Sequence, residues 1–204
     1  GGYRPIQRAR PMTGRGPVAR AHEAMAECLR PGDWAVDATA GNGHDALFLA
    51  QTVGPEGRVF AFDIQSAAAT ATRRRLAEAG VAERVEVGVR GHEHLSAALP
   101  PTAQGRVRGV MFNLGYLPAG DKSLITRPET TLTALQAAAA VLEPGGRLTV
   151  VAYPGHAGGG EETAAVAHWA QEALPGGFRC QGWDEPDPRG KAPRLFVLER
   201  VEAG

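Results

Sequence analysis

Asp37-Ala38-Thr39-Ala40-Gly41-Asn42-Gly43-His44-Asp45-Ala46 decides the fold. A short apolar run, Trp34 to Asp37, leads into it, and a helical pattern from His44 to about Thr52 leads out. The stretch therefore reads as strand, Gly-rich turn, helix. Glycines at 41 and 43 let the backbone turn tightly and approach a ligand closely. The helix N-terminus beyond them offers free N–H groups. Taken alone, Gly41-x-Gly43-x-x-Ala46 also fits the dinucleotide-binding form, so the turn does not name its ligand.

Working outward, strands and helices alternate. Val18 to Leu29 reads as a first helix, stopped by Pro31-Gly32. Arg58 to Ile64, Arg84 to Val89, Val107 to Asn113 and Arg147 to Tyr153 read as further strands. Gln65 to Ala79, Pro128 to Leu142 and Glu161 to Leu174 read as helices, the second closed by Pro144-Gly145-Gly146. Two late strands, Phe178 to Trp183 and Arg194 to Arg200, have no helix between them. Alternation of this kind implies βαβ units and a mostly parallel sheet. The late pair implies that the last strand enters antiparallel. The expected class is α/β: a Rossmann-like, doubly wound, seven-stranded sheet, mostly parallel with an antiparallel last strand. That is the pattern of class I methyltransferases. Residues 18–204 read as one such domain. Residues 1–17, rich in Arg, Pro and Gly, read as a flexible basic arm.

Composition narrows the partners. The chain has 204 residues, 43% hydrophobic, enough for one sizeable core. Lys+Arg and Asp+Glu both number 22, so no overall field draws it onto nucleic acid, and any RNA contact needs a local patch. Arg4, Arg8, Arg10, Arg15 and Arg20 precede the first acidic residue, Glu23, and form the one such strip; Arg15 and Arg20 are its candidates for substrate contact. Arg73-Arg74-Arg75 reads as a solvated helix face. Two cysteines outside any C-x-x-C make no disulfide framework, so the expected location is cytoplasmic. No apolar run is long enough for a membrane span, no metal is expected, and a homodimer is left open.

The candidate site residues lie after strands. Asp63, 22 residues beyond Gly41, suits the two hydroxyls of an adenosine ribose, and Gln65 follows it. A carboxylate at the head of the loop, Asp37, suits the cationic amino end of S-adenosylmethionine and would repel a pyrophosphate. Asp45 serves either that ligand or the dipole of its own helix. His92 and Glu93 follow the third strand, where such folds hold adenine; His92 reads equally as an exposed loop residue. Asn113 ends the fourth strand in Asn113-Leu114-Gly115-Tyr116-Leu117-Pro118. Its amide oxygen can accept from an amine and orient the nitrogen lone pair, and Tyr116 gives a wall on which a base can stack. Asp121-Lys122 stands just beyond as a charge pair, functional or merely solvated. Gly155-His156-Ala157-Gly158-Gly159 reads as a flap in which His156 touches substrate or caps the loop.

Several of these motifs occur in one order: Asp37 to Asp45, Phe62 to Gln65, Asn113 to Pro118, Gly120 to Lys122, Pro128 to Thr131 and Gly155 to Gly159. Together, over roughly residues 18–200, they resemble the bacterial putative rRNA methylase family, and linked motifs are far more specific than one turn. Asn113 to Tyr116 also resembles the N-P-P-Y signature of amino-methyltransferases, with Leu114 and Gly115 replacing the prolines. Pro154 stands where the family has a polar residue. The resemblance implies S-adenosylmethionine as cofactor, with Asn42 and Gly43 among the residues that hold it. It implies the tRNA anticodon loop as partner and the aminomethyl group of 5-aminomethyl(-2-thio)uridine at the wobble position as methyl acceptor. Asn113, Tyr116, Asp121 and Lys122 would carry catalysis. Alternatives are an rRNA or small-amine methyltransferase, an NAD-binding oxidoreductase and a non-catalytic cofactor-binding module.

Overall fold

The computed structural model describes residues 16–115 and 127–202. Tyr116, Asp121, Lys122, Arg15 and most of the proposed arm lie outside them. Helix α1 (Pro17–Cys28) begins one residue earlier than expected, because a proline at its first position is pre-set for helical φ. Strand β1 (Trp34–Asp37), helix α2 (His44–Val53), β2 (Arg58–Asp63), α3 (Ser66–Glu78) and β3 (Val85–Val89) follow. Then come a short α4 (Leu95–Ala98), β4 (Val107–Leu114), α5 (Pro128–Val141), β5 (Leu142–Ala152), α6 (Gly159–Ala173), β6 (Phe178–Trp183) and β7 (Arg194–Arg200).

The seven strands form one sheet in the order β3-β2-β1-β4-β5-β7-β6. Pairs from β3 to β5 are parallel, and β7 inserts antiparallel between β5 and β6, as the missing helix implied. One element departs from expectation. Strand β5 starts at Leu142 rather than Arg147, so the Pro144-Gly145-Gly146 turn lies inside the strand. Between the pairs Val107↔Leu142 and Gly109↔Arg147 the β5 chain bulges outward. Gly145 takes φ 83° there, and Arg108 Nη1 ties Glu143 Oε1 at 3.3 Å. The turn signal was real, but a bulge spends it without leaving the sheet.

Side-chain alternation along the strands builds two cores. On one face Val110, Phe112 and Leu114 of β4 pack with Phe60, Leu148 and Phe196 under Leu95, Leu135 and Val166 of α4, α5 and α6. On the other, Met111, Ala35 and Val59 pack under Met25, Leu49 and Leu76 of α1, α2 and α3. Helices thus cover both faces, and the strand order reverses between β1 and β4. The carboxyl ends of those two strands open the crevice in which such sheets bind ligands.

Two glycines show how closely the crevice is built. Gly43, at φ 86°, would place a Cβ 2.9 Å from the Thr72 Cα of α3. Gly160, in α6, would place one in open space. Gly43→Ala is expected to destabilise by about 1–3 kcal/mol, while Gly160→Ala is neutral or gains about 0.5–1 kcal/mol. Urea unfolding of both variants measures the contrast, and equal midpoints would contradict it.

Candidate active site

The loop after β1 is held from every side. Ala38 N–H donates to the Met111 carbonyl at 2.9 Å, and Ala40 N–H donates to the Phe62 carbonyl at 2.8 Å. Gly41 N–H donates to Asp63 Oδ2 at 2.9 Å, while Thr72 Oγ1 donates to the Gly41 carbonyl at 3.1 Å. Arg75 Nε donates to the Asn42 carbonyl at 2.7 Å. The backbone of Gly41, Asn42 and Gly43 is therefore shaped before any ligand arrives, which lowers the cost of binding.

Inside this loop sits Asp37, with no exposed surface. Its Oδ1 accepts from Thr39 N–H at 3.1 Å, and its Oδ2 has no partner among the described residues. Burial pushes its carboxyl well above the usual range, and the nearby charges of Asp45 and Asp63 push the same way against the Thr39 bond. Asp63 accepts N–H bonds from Gly41 and Gln65, both at 2.9 Å, one on each oxygen. A carboxylate carries about four acceptor sites, so the second lone pair of each oxygen remains for a ribose. Gln65 itself is buried at the head of α3.

Asp45, in the first turn of α2, is also buried, and its Oδ1 lies 2.6 Å from His22 Nε2 on α1. The His22 ring stacks on Phe48 with centroids 4.2 Å apart and planes 6° apart. Across the crevice, Asn113 N–H donates to Thr39 Oγ1 at 2.7 Å, which ties the end of β4 to the loop. The Asn113 side chain shares a hydrogen bond with the hydroxyl of Tyr153, just beyond β5. Burial raises the Tyr153 phenol, and the bond with Asn113 opposes that.

His92 is not the exposed loop residue that one sequence reading allowed. It is 4% exposed and sits against Phe112, 5.7 Å between centroids. Its Nε2 lies 3.5 Å from Thr131 Oγ1 of α5, which donates to Glu162 Oε2 of α6 at 2.8 Å. These buried groups join the β3 end to the starts of α5 and α6. Glu93 folds back over Gly91, and His94 Nε2 lies 3.4 Å from it. His156 contacts its own loop, with Nδ1 3.1 Å from the Ala157 carbonyl. Gly159 has no room for a side chain between that ring and the Tyr153 carbonyl.

Arg20 behaves otherwise than the basic-strip reading expected. Its guanidinium pairs with both oxygens of Asp184, at 2.6 and 2.7 Å, and is 13% exposed. A fork-to-fork pair of this kind pins α1 to the β6–β7 connection and leaves little of the cation for a phosphate. The crevice thus gathers Asp37, Gly41, Asn42, Gly43, Asp45, Asp63, Gln65 and Asn113. His22, Thr39 and Tyr153 join them unforeseen. Tyr153 stood at the end of the expected fifth strand without a role, whereas no spacing links position 22 to 45. Among the described residues, no cluster of three or more His, Cys, Asp or Glu could hold a metal ion, and no helix is long and apolar enough to cross a membrane.

A Gly-rich loop at the switch point of a sheet ordered this way, with β7 inserted antiparallel, defines the S-adenosylmethionine-dependent methyltransferase class. Residues 59–199 match the family described as putative rRNA methylase, and the chain belongs to that family. It is 41% identical over 171 residues to the chloroplastic tRNA (mnm(5)s(2)U34)-methyltransferase of Arabidopsis thaliana, covering 80% of this chain and 60% of that protein. The crystal structure of a putative rRNA methylase from Clostridium thermocellum superposes with TM-score 0.85 at 38% identity, over 93% of this chain and all of that one. A putative methyltransferase from Streptococcus mutans, solved in complex with SAH, gives TM-score 0.80 at 31% identity over 93% of this chain and all of that one. The cofactor of this class fits the residues present: Asp37, fully buried with one carboxylate oxygen that has no hydrogen-bond partner among the described residues, would hold its cationic amino end, beside a bare-glycine backbone.

The buried imidazole makes stability depend on pH. Burial lowers His92 to about 4, against an ordinary 6.5, with Glu93 opposing. As pH falls below about 6.5, the unfolded chain takes a proton that the folded one refuses. The contribution of His92 is full above that pH and is lost as pH falls through about 4, on the order of 3 kcal/mol in all. Denaturant titrations at pH 7 and pH 4 should show a steeper loss for the wild type than for His92→Gln. Parallel losses would mean that the site is wet.

Proposed function

We propose that the protein transfers a methyl group from S-adenosylmethionine to the exocyclic amine of 5-aminomethyl(-2-thio)uridine at the wobble position of tRNA, giving the 5-methylaminomethyl product. The observation that carries this reading is the likeness, over 80% of the chain, to a protein named for that position of tRNA. The placement of Asn113 beside the loop supports it.

Asp37 would hold the cofactor's ammonium, and the Asp63 carboxylate would accept from its ribose hydroxyls. The backbone of Gly41 to Gly43 would line it, and Gln65, His92 and Glu93 would serve the adenine side. When bound, S-adenosylmethionine supplies an electrophilic sulfonium methyl. The rest falls to this chain. An alkyl amine is protonated at neutral pH, with a pKa near ~10 by analogy with lysine. It must shed that proton before it can attack. Asp121 would hold the ammonium and accept its proton or pass it to water, with Lys122 as a further catalytic residue; His156 would contact the substrate, and Tyr116 would stack on the base. The Asn113 amide oxygen then accepts from the neutral amine and aims its lone pair, while Tyr153 keeps that amide from rotating. Most of the acceleration comes from alignment. The anticodon loop suits a nearly neutral protein, because its unstacked bases are recognised by stacking and edge contacts as well as by charge.

The test uses labelled S-adenosylmethionine and bulk tRNA that carries unmethylated 5-aminomethyluridine, followed by digestion and mass spectrometry of the nucleosides. One methyl gained on the aminomethyl group is expected. Asn113→Ala should lower kcat/KM on the order of 100-fold while cofactor binding persists, as a lost alignment does. A wild type that binds cofactor yet leaves this nucleoside unmethylated would move the assignment to an rRNA or a small amine.

A further inference from the structure

Two carboxylates, Asp45 and Asp63, stand close enough to Asp37 to raise its protonation. Among the described residues, one basic side chain lies within 4 Å of any of them: His22, at 2.6 Å from Asp45. It comes from α1, a helix outside the βαβ units that build the loop. Its ring is fixed twice by α2. Phe48 gives it a parallel face, and Asp45, one turn earlier on the same helix side, takes its Nε2. A bond this short to a buried carboxylate does something more, because it fixes the rotamer of Asp45 and offsets part of its charge next to Asp37 and Asp63.

We infer that His22 is a positioning residue for cofactor binding: its bond to Asp45 holds that carboxylate, at the N-terminus of α2, in the setting the cofactor requires. This rests on the cofactor assignment above and adds a residue to it. Without the imidazole donor, Asp45 turns freely and adds its full repulsion to a pair of carboxylates that must meet a ligand in one geometry. The loss therefore falls on cofactor affinity. The methyl-transfer step at Asn113 feels it only through occupancy.

His22→Phe keeps the stack on Phe48 and removes the hydrogen bond. His22→Gln restores a donor without the ring. Calorimetry with S-adenosylhomocysteine is expected to show an affinity about tenfold weaker for His22→Phe, the size of one charge-assisted bond, and partial recovery in His22→Gln. The KM for S-adenosylmethionine should rise in step while kcat at saturating cofactor stays within about twofold. Asp45→Asn should weaken binding alone, and His22→Phe should add nothing further in that background. Unchanged affinity in His22→Phe, with the loss appearing only in the unfolding midpoint, would overturn the inference and make the pair a fastener of α1. A wild type that binds no S-adenosylhomocysteine would overturn the cofactor assignment itself, and the inference with it.

Discussion

Leaving water costs a carboxylate several kcal/mol unless a partner compensates, and Asp37 leaves water completely. Its Oδ1 accepts from Thr39 N–H, Oδ2 has no close partner among the described residues, and the Ala46 N–H offsets the burial only in part. Two further carboxylates stand nearby and add repulsion. No packing argument accounts for an acid at the end of a central, otherwise apolar strand. A cationic ligand would, since its charge and N–H groups supply what the fold withholds. Strain or unmet bonding kept at one place and offset elsewhere is what a binding site looks like from the side of stability.

The surroundings make sense once that constraint is granted. The loop after Asp37 is fastened by the ends of β2 and β4 and by α3, so it does not collapse onto the unmet oxygen. Parallel register brings Asp37 level with Met111, and Asn113 therefore reaches two residues further along β4, over the crevice. Tyr153 then follows β5, whose Val151 pairs with Asn113. Donor-side and acceptor-side groups thus come from adjacent strands at successive heights. The buried His92–Thr131–Glu162 contacts fix the opposite wall, where three chain segments meet.

Most of the scaffold was legible because it is written locally. Gly41 and Gly43 mark the turn, apolar runs mark the strands, and the absent helix before Arg194 marks the antiparallel return. The start of β5 was not legible, because a Pro-Gly-Gly signal serves a turn and a bulge alike. Within the site, Asp37 and Asp63 stood out because each ends a strand, and Asn113 because it stands one residue before the end of β4. His22 could not, since its partner is 23 residues away and only helix packing joins them. Arg20 read as a free cation because Asp184 is 164 positions distant. The sequence left open whether His92 is buried, because α5 and α6, which cover it, come later in the chain.

Asp37→Asn keeps the shape of that side chain and removes its charge, so it tests the central claim most directly. Calorimetric titration with S-adenosylmethionine, paired with urea unfolding of the ligand-free protein at pH 8, reads both consequences. Binding should weaken by about 100-fold, since a charge-assisted contact to the cofactor is lost. The ligand-free variant should unfold at a higher urea concentration, because a buried, repelled carboxylate is gone. Wild-type affinity in the variant, or a lower unfolding midpoint, would mean that Asp37 serves the fold and that the cation binds elsewhere.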